Sequence, residues 1–369
     1  MSEKKGMRNK WIIAIACIAI VVVAGITFWY FALPATLTPS SKLKVAMLAT
    51  GAESAPWNVV GTTALAEANK TINFELSKSF DLAFADLARV MKDYAELKYD
   101  LVIGWGIEFV EPTRETAPGY PDVKFAFVCS SILPVDLPNI AGIQITDQEP
   151  SLLTGLIAGG MTNTSKVGSI GAMPVPDEVP AMESFKVGVR IMSNDTHIGE
   201  TYLGSWFDLP GGKEAAIAQI QLGADFIHQD GVPAGLGVIE ACEERNVLQV
   251  GAYIDQSIYA PDTMVACALL TEKPVMIDML NAIIDGQWET KIYRYSMAEG
   301  GSDITGIGSS KIIVPAELKN LVAKVRQDII DKKLVVPYEI QSTGTWESGY
   351  TPAQFQDYIN TFREHYGVT

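Results

Sequence analysis

Hydrophobic positions in this chain follow one pattern near the N-terminus and another over the rest. The run over residues 11–33 is apolar and uncharged, and basic side chains are concentrated in the ten residues before it. A helix of that length crosses a bilayer core of about 30 Å. Basic residues ahead of a span favour a cytoplasmic N-terminus. The pattern predicts a cytoplasmic basic head over 1–10 and a transmembrane anchor over 11–33.

Two other interpretations of residues 11–33 are a cleaved signal peptide and a lipoprotein signal. The apolar region of a signal peptide is about 7–15 residues long, and this run is longer. Cys17 follows small and apolar residues, but the apolar run continues beyond it. We therefore expect an uncleaved anchor, then an extended stalk rich in Pro, Thr and Ser over 34–42. The rest of the chain is expected outside the cell membrane.

From residue 43 onward, short β-rich runs alternate with longer amphipathic stretches. Strands are predicted over 43–50, 72–77, 99–106, 123–130 and 140–145, and after a restart over 166–173, 197–204, 224–230 and 247–255. Helices, with apolar residues at helical spacing, are predicted over 80–97, 178–193, 211–223 and 235–246. This alternation predicts parallel sheets covered by helices. The restart predicts two similar α/β lobes.

Aromatic and carboxylate residues gather at the predicted strand ends. Ligands of such sheets bind beyond the carboxyl ends of the strands, so two facing lobes would form a cleft there. Aromatic planes and a few polar groups suit a flat ligand with N–H and O–H groups. A Trp can instead pack within its own lobe, and an Asp can cap a helix. The strand-end residues are Trp57, Asn58, Gly106, Glu108, Ser130 and Ser131 in the first lobe, and Trp206, Phe207, Asp208, His228, Asp230 and Asp255 in the second.

The composition of the chain, and the motifs that it lacks, exclude several classes of function. The 369 residues include 28 Lys and Arg against 43 Asp and Glu, a net charge of −15. This acidity argues against a nucleic-acid polymer as partner. The sequence has no dinucleotide fingerprint, Walker A motif or nucleophile elbow. Its three histidines are too scattered for a zinc site, and its four cysteines form no disulfide framework. We therefore expect that the protein is not an enzyme and that it binds neither a cofactor nor a metal ion.

Five longer segments of the chain carry a family resemblance. They are YDLVIGWG (99–106), EPSLLTGLIAGGMT (149–162), KVGSIGAMPVPDEVPAMESFKVGVR (166–190), SWFDLPGGKEAAIAQIQLGADFIHQDG (205–231) and YIDQS (253–257). Together, and in the family's order, they strongly resemble the basic membrane protein (BMP) family. The resemblance covers most of residues 43–345 and implies a substrate-binding protein of an ABC transporter. It also implies the type I periplasmic-binding fold, which is α/β with two Rossmann-like lobes and a hinge.

The same resemblance implies how the lobes are divided. The N-terminal lobe is expected over 43–162 and about 262–290, and the C-terminal lobe over 163–261 and about 291–369. The chain is expected to pass between the lobes within 145–165, 256–273 and 287–300. The protein is expected to be a monomer that closes on a small molecule and works with ABC permease and ATPase subunits.

The family resemblance also implies a ligand and a site. Its best-understood members resemble purine nucleoside receptors, and some bind free bases, sandwiched between one aromatic from each lobe. Trp57 and Trp206 match those positions, with Phe207 as the alternative for the second. The polar contacts implied by the family's positions are Asn58, Gly106, Glu108, Asp230 and Asp255.

The sequence departs from the family pattern at two positions. The Asp that usually precedes the first aromatic is missing, and Glu53 or Ser54 is the nearest substitute. Members of the family usually carry a basic residue late in the chain, and the only candidate for it in this sequence is Lys273. A free base or modified ligand therefore fits at least as well as a nucleoside. Alternative interpretations are a membrane-tethered sensor, or a receptor for riboflavin or a sugar. Glu53 and Glu108 could form an acid–base pair, but between aromatics they better suit accepting ligand N–H groups.

Overall fold

The computed structural model describes residues 42–128, 137–144, 146–175, 178–231, 233–336 and 352–368. The expected head, the anchor or signal over 11–33 and nearly all of the stalk lie outside these residues, as do Ser130 and Ser131. Within the described residues, no helix has both the length and the apolar character needed to cross a membrane.

Strands and helices alternate along the described chain, as the hydrophobic pattern predicts. The strands are β1 (Lys44–Leu48), β2 (Glu75–Ser79), β3 (Leu101–Gly104), β4 (Lys124–Val128), β5 (Ile140–Gln144), β6 (Lys166–Gly171), β7 (His197–Tyr202), β8 (Phe226–Asp230), β9 (Leu248–Gly251), β10 (Met264–Leu270), β11 (Ile292–Arg294) and β12 (Ser302–Ile304). The helices are α1 (Pro56–Ile72), α2 (Leu87–Glu96), α3 (Val110–Thr116), α4 (Gln148–Met161), α5 (Val179–Met192), α6 (Leu209–Gln221), α7 (Ala234–Arg245), α8 (Lys273–Ile284), α9 (Ala316–Ile330) and α10 (Pro352–Tyr366).

In the described residues these strands form two six-stranded sheets. Their orders are β11-β5-β4-β3-β1-β2 and β12-β10-β9-β8-β6-β7. The pairings are parallel except that β12 runs antiparallel to β10. The prediction of two α/β units built on parallel sheets is therefore confirmed.

Each sheet is covered on both faces, which explains its apolar central strands. On one face of the first sheet, α1 and α8 pack over β1 and β3 in a cluster that contains the fully buried Trp105. The other face holds a second cluster, around Phe109, Phe125 and Phe127. Parallel strands buried on both faces read as continuous hydrophobic runs, so the strand positions were predictable from the sequence.

Three elements do not follow the expected lobe boundaries. Helix α4 was expected with the N-terminal lobe, but its apolar residues share a core cluster with α5 and the second sheet. Strand β10 was expected in the first lobe and pairs with β9 in the second sheet. Strand β11 was expected in the second lobe and pairs with β5 in the first sheet. The chain therefore passes between the sheets at about 144–148, 270–273 and 294–302.

Two glycines explain why α4 packs with the second lobe. A Cβ added to Gly155 of α4 would lie 2.2 Å from the Phe185 carbonyl oxygen. A Cβ added to Gly188 of α5 would lie 2.3 Å from the Leu152 carbonyl oxygen. Only residues without a side chain allow the two backbones to approach this closely. The periodicity of either helix alone carries no information about that approach.

Candidate functional site

A cavity of about 830 Å³, partly open to solvent, lies at the carboxyl ends of strands from both sheets. This volume includes the open solvent at the mouth of the cavity. The lining residues follow β1, β2, β3 and β5 of the first sheet and β6 to β9 of the second. Its described lining residues are Thr50, Gly51, Ala55, Trp57, Asn58, Phe84, Gly106, Ile107, Glu108, Asp147, Val175, Glu178, Trp206, Phe207, Pro233 and Tyr253.

Trp57 is both a packed residue and part of the cavity wall. It lies in the first turn of α1, a helix that the sequence pattern did not predict. Its ring centroid is 5.4 Å from that of Trp105 and 5.5 Å from that of Tyr253. The Trp105 indole N–H donates a 2.9 Å hydrogen bond to the Trp57 carbonyl oxygen. These contacts fix the Trp57 ring while leaving part of it at the cavity.

The opposite wall is formed by Trp206 and Phe207, which follow β7. Phe207 is 48% exposed, and a Cβ added to Gly51 would lie 3.4 Å from its ring. The Phe207 ring therefore approaches the loop after β1 from the second lobe. Asp208 accepts a 3.0 Å hydrogen bond from the Gly211 N–H and caps α6, so its structural interpretation is confirmed.

On the first lobe, Glu108 is the carboxylate that lines the cavity. Its Oε1 accepts a 2.7 Å hydrogen bond from the Thr50 hydroxyl. Burial raises the pKa of Glu108, and the Thr50 hydrogen bond opposes that rise. Gly106 has φ +147°, and a Cβ there would lie 2.3 Å from the Glu108 carboxylate. Only glycine permits this backbone next to this carboxylate.

Asn58 holds the loop after β1 and also lines the cavity. Its Nδ2 donates to the carbonyl oxygens of Thr50 at 3.0 Å and Ala52 at 2.9 Å. Its Oδ1 is buried and has no hydrogen-bond partner within the described part of the chain. Asn58 therefore carries a buried acceptor that the described residues leave unpaired.

Glu178, Asp147 and Tyr253 line the cavity but were not singled out from the sequence. Glu178 accepts hydrogen bonds from the backbone N–H groups of Ala172 and, at 2.9 Å, Met173. Burial raises the pKa of Glu178, and the charge of Asp230 raises it further. A search for polar residues directly after strands would have found Asp147, which follows β5. It would have missed Glu178, which lies seven residues beyond the end of β6.

Asp230 is buried next to this group but does not itself line the cavity. It is 2% exposed at the end of β8. Burial raises its pKa to about 7, and the nearby Tyr253 hydroxyl opposes that rise. Neither carboxylate oxygen of Asp230 has a hydrogen-bond partner within the described residues. Asp230 was expected to contact the ligand, but in the structure Glu178 and Tyr253, and not Asp230, line the cavity.

Three other expected contacts lie away from the cavity. The Glu53 side chain is 52% exposed and forms an ion pair with Lys78. Ser54 is exposed in the turn before α1. Asp255 is exposed, and its Oδ1 accepts a 3.0 Å hydrogen bond from the Ser257 N–H. Lys273, the candidate basic residue, is also exposed and outside the lining.

His228 belongs to the core of the second lobe. Its ring stacks on Phe185 with centroids 4.1 Å apart, and Nδ1 lies 3.0 Å from the Ser169 hydroxyl. Complete burial lowers the pKa of His228 to about 3, so the ring is neutral at physiological pH. His228 therefore does not line the cavity.

The electrostatic character of the cavity is acidic. Its described lining includes three carboxyl side chains and no Lys, Arg or His. Among the described residues, no cluster of three or more His, Cys, Asp or Glu is arranged to hold a metal ion. Such a cavity suits a neutral or cationic ligand, because an anion would be placed among carboxylates without a compensating charge.

The comparisons with known proteins agree with this architecture. The model of a family described as Bmp, ABC transporter substrate-binding protein PnrA-like, matches residues 42–340. A purine-binding protein of Brucella abortus is 29% identical over 218 residues, covering 58% of this chain and 60% of that protein. An ABC transporter nucleoside-binding protein, BmpA of Lactococcus lactis, is 27% identical over 257 residues, covering 65% of this chain and 71% of that protein.

Solved structures support the fold. A solute-binding protein of an ABC transporter system from Conexibacter woesei superposes with a TM-score of 0.66 at 24% identity. The superposition covers 80% of this chain and 98% of that one. Because the family model spans most of the described sequence and the cavity lies between two parallel-sheet units, this chain belongs to the Bmp family of ABC transporter substrate-binding proteins.

Proposed function

We propose that the protein is the extracytoplasmic receptor of an ABC importer and binds a purine base or purine nucleoside in the cavity. One observation carries this proposal: aromatic side chains from both lobes, Trp57 on one side and Trp206 and Phe207 on the other, line a single acidic cavity. A flat heterocycle with N–H groups fits between such walls, since its faces stack and its edges donate hydrogen bonds.

The charge of the lining favours an unphosphorylated ligand. Phosphate groups are usually held by Arg, Lys or backbone N–H groups at helix ends. The described lining has no basic side chain and includes Glu108, Asp147 and Glu178. A nucleotide would therefore be disfavoured relative to a base or nucleoside. The exposed positions of Glu53, Ser54 and Lys273 leave no ribose-binding set matching the family pattern, which favours a free base.

Ligand capture would follow from closure of the two lobes. Three chain passages join the sheets, at about 144–148, 270–273 and 294–302. Such short connections permit hinge motion, and a ligand that contacts both lobes stabilises the closed state. In this proposal the closed monomer presents the ligand to permease and ATPase subunits, and residues 11–33 tether it to the cell membrane with the binding lobes outside.

The direct test is native mass spectrometry of the protein purified from cells, to identify any ligand that remains bound. A thermal-shift screen with nucleobases, nucleosides, riboflavin and sugars follows, and hits are measured by calorimetry. A purine base or nucleoside in the purified protein, or a melting shift with purines, would support the proposal. A shift with sugars or riboflavin but with no purine would overturn it.

A further inference from the structure

We infer that the ligand of this cavity is a purine with an apolar substituent, and that the protein holds this substituent at the cavity mouth between Phe84 of the first lobe and Phe207 of the second. This inference rests on the proposed function and specifies its ligand class. It follows from how burial and polarity are distributed over the lining residues. It also gives a role to Phe84, which the sequence pattern did not single out.

The buried part of the described lining is rich in polar side chains. Asn58, Asp147, Glu178 and Tyr253 line the cavity and are all buried. The Oδ1 of Asn58 has no hydrogen-bond partner among the described residues. Polar groups placed in this way orient a ligand by its polar edge. The polar edge of a purine is therefore expected to point inward, and the opposite edge to point toward the mouth.

The mouth of the cavity has the opposite character. Among the described lining residues only Phe84, at 61%, and Phe207, at 48%, are exposed. A residue that lines a cavity and is also exposed lies where the cavity opens to solvent. Two exposed phenyl rings at one opening form an apolar patch of the kind that marks a binding groove. The part of the ligand that reaches the mouth therefore meets aromatic carbon.

Both phenylalanines lie close to the loop that follows β1, although they come from different lobes. The segment leading to Phe84 is joined to this loop by a 2.8 Å hydrogen bond from the Asp81 N–H to the Gly51 carbonyl oxygen. From the second lobe, the Phe207 ring lies 3.4 Å from the position of a Cβ on Gly51, and Gly51 itself lines the cavity. A substituent that leaves the cavity beside Gly51 would contact both lobes and so stabilise their closed state.

The chemistry of this mouth favours an alkyl group over a sugar. An alkyl group gains free energy in proportion to the apolar area that it removes from water against the phenyl rings. A ribose carries several hydroxyl groups, which lose free energy when they leave water without a partner. Apart from the tryptophans, the half-buried polar side chains of the described lining are Thr50 and Glu108, and these are hydrogen-bonded to each other.

Calorimetry on the wild-type protein tests the ligand class. The probes are adenine and hypoxanthine, the 9-propyl derivative of each, N6-propyladenine, 1-propylhypoxanthine, adenosine and inosine. The two propyl isomers of a base are equally hydrophobic, so they differ only in the edge that carries the chain. We expect one isomer to bind about tenfold more tightly than its parent base, because its chain is partly covered at the mouth. The other should bind more weakly than the parent, because its chain points into the buried polar part.

The outcomes separate this inference from the proposed function. If neither isomer binds more tightly than its parent base, or if both gain equally, the inference is overturned while the proposed function stands. The same holds if a nucleoside binds more tightly than both propyl isomers, because the mouth then recognises a sugar. If no base, nucleoside or propyl derivative binds, the proposed function itself fails.

The role of Phe84 is tested by Phe84→Ala, measured with the favoured propyl isomer and its parent base. We expect the affinity ratio of these two ligands to fall by about threefold or more, because one of the two rings at the mouth is removed. Leu97→Ala is the matched control, since Leu97 is exposed to a similar extent, 63%, on the same lobe and does not line the cavity. It should keep the wild-type ratio. A wild-type ratio in Phe84→Ala would overturn the assignment of Phe84.

Phe84→Leu tests whether it is the apolar character of Phe84 that matters. It keeps an apolar side chain at the mouth and should retain most of the ratio. A loss as large as that in Phe84→Ala would contradict an apolar role. Circular dichroism checks the folding of both variants, and the wild-type comparison of the propyl isomers requires no variant at all.

Discussion

The Thr50 hydroxyl donates a 2.7 Å hydrogen bond to Glu108 Oε1 and so joins two loops of the first lobe. The loops are adjacent because β1 and β3 are parallel neighbours, with Leu48 opposite Gly104 at their carboxyl ends. The bond holds the Glu108 carboxylate at the cavity and opposes the rise in its pKa that burial causes.

Removing that hydroxyl should weaken ligand binding with little effect on the fold. In Thr50→Val the side chain keeps its shape, but Glu108 loses its donor and its pKa rises further. We expect the affinity for adenine to fall about fivefold to tenfold, in line with the net contribution of about 1 kcal/mol from one typical hydrogen bond. The measurement is calorimetry at pH 7. Thr63→Val, an exposed position on α1, is the control, and an equal loss there would contradict the role of Thr50.

Truncating the cavity tryptophans should reduce affinity more strongly. Stacking on an aromatic side chain contributes about 1–3 kcal/mol per base. Trp206→Ala and Trp57→Ala should therefore each weaken adenine binding by about tenfold to a hundredfold, as measured by calorimetry. Trp57→Ala should also lower the melting temperature, because the ring packs on Trp105 and Tyr253.

Trp288→Ala separates these two effects. Trp288 packs against the first-lobe core but does not line the cavity. This variant should be less stable than the wild type and should keep its affinity. Wild-type affinity in both Trp57→Ala and Trp206→Ala would remove these residues from the binding site.

A single methyl group at Gly106 should disturb the site. Its φ of +147° is unfavourable for any other residue, and a Cβ would meet the Glu108 carboxylate at 2.3 Å. Gly106→Ala should destabilise the fold by about 1–3 kcal/mol and weaken adenine binding at least tenfold. Denaturant unfolding and calorimetry measure the two effects. Gly119→Ala, where a Cβ would meet nothing within 4 Å, should change neither property.

Stability should depend on pH through the buried Asp230. Burial raises its pKa from an ordinary 3.8 to about 7, so between these values the folded state binds more protons than the unfolded state. The free energy of unfolding should therefore fall as pH rises from about 4 to 7, by roughly 3 kcal/mol. Glu272, whose pKa burial raises to about 8, adds a slope of the same sign.

Urea unfolding at pH 5 and pH 8 measures this slope. Asp230→Asn removes the titrating carboxyl and should make stability less dependent on pH. Asp255→Asn changes an exposed carboxyl and should keep the wild-type dependence. If Asp230→Asn also keeps the full dependence, the proton uptake is not at Asp230.

The sequence alone determined the two parallel-sheet units and the positions of most of their strands. Buried parallel strands are continuous apolar runs bounded by glycine or polar residues, so their pattern is local and visible. The same reasoning located the cavity at the strand ends and selected Trp57, Asn58, Gly106, Glu108, Trp206 and Phe207, all of which line it.

Only the tertiary structure decided which carboxylates reach the cavity and which elements belong to each sheet. Asp255 follows a strand end yet is exposed, whereas Glu178 lies far from its strand and is returned to the cavity by the turn before α5. The packing of α4 on α5 likewise depends on Gly155 meeting Gly188. Such outcomes depend on contacts between residues distant in sequence, and local hydrophobic patterns contain no information about them.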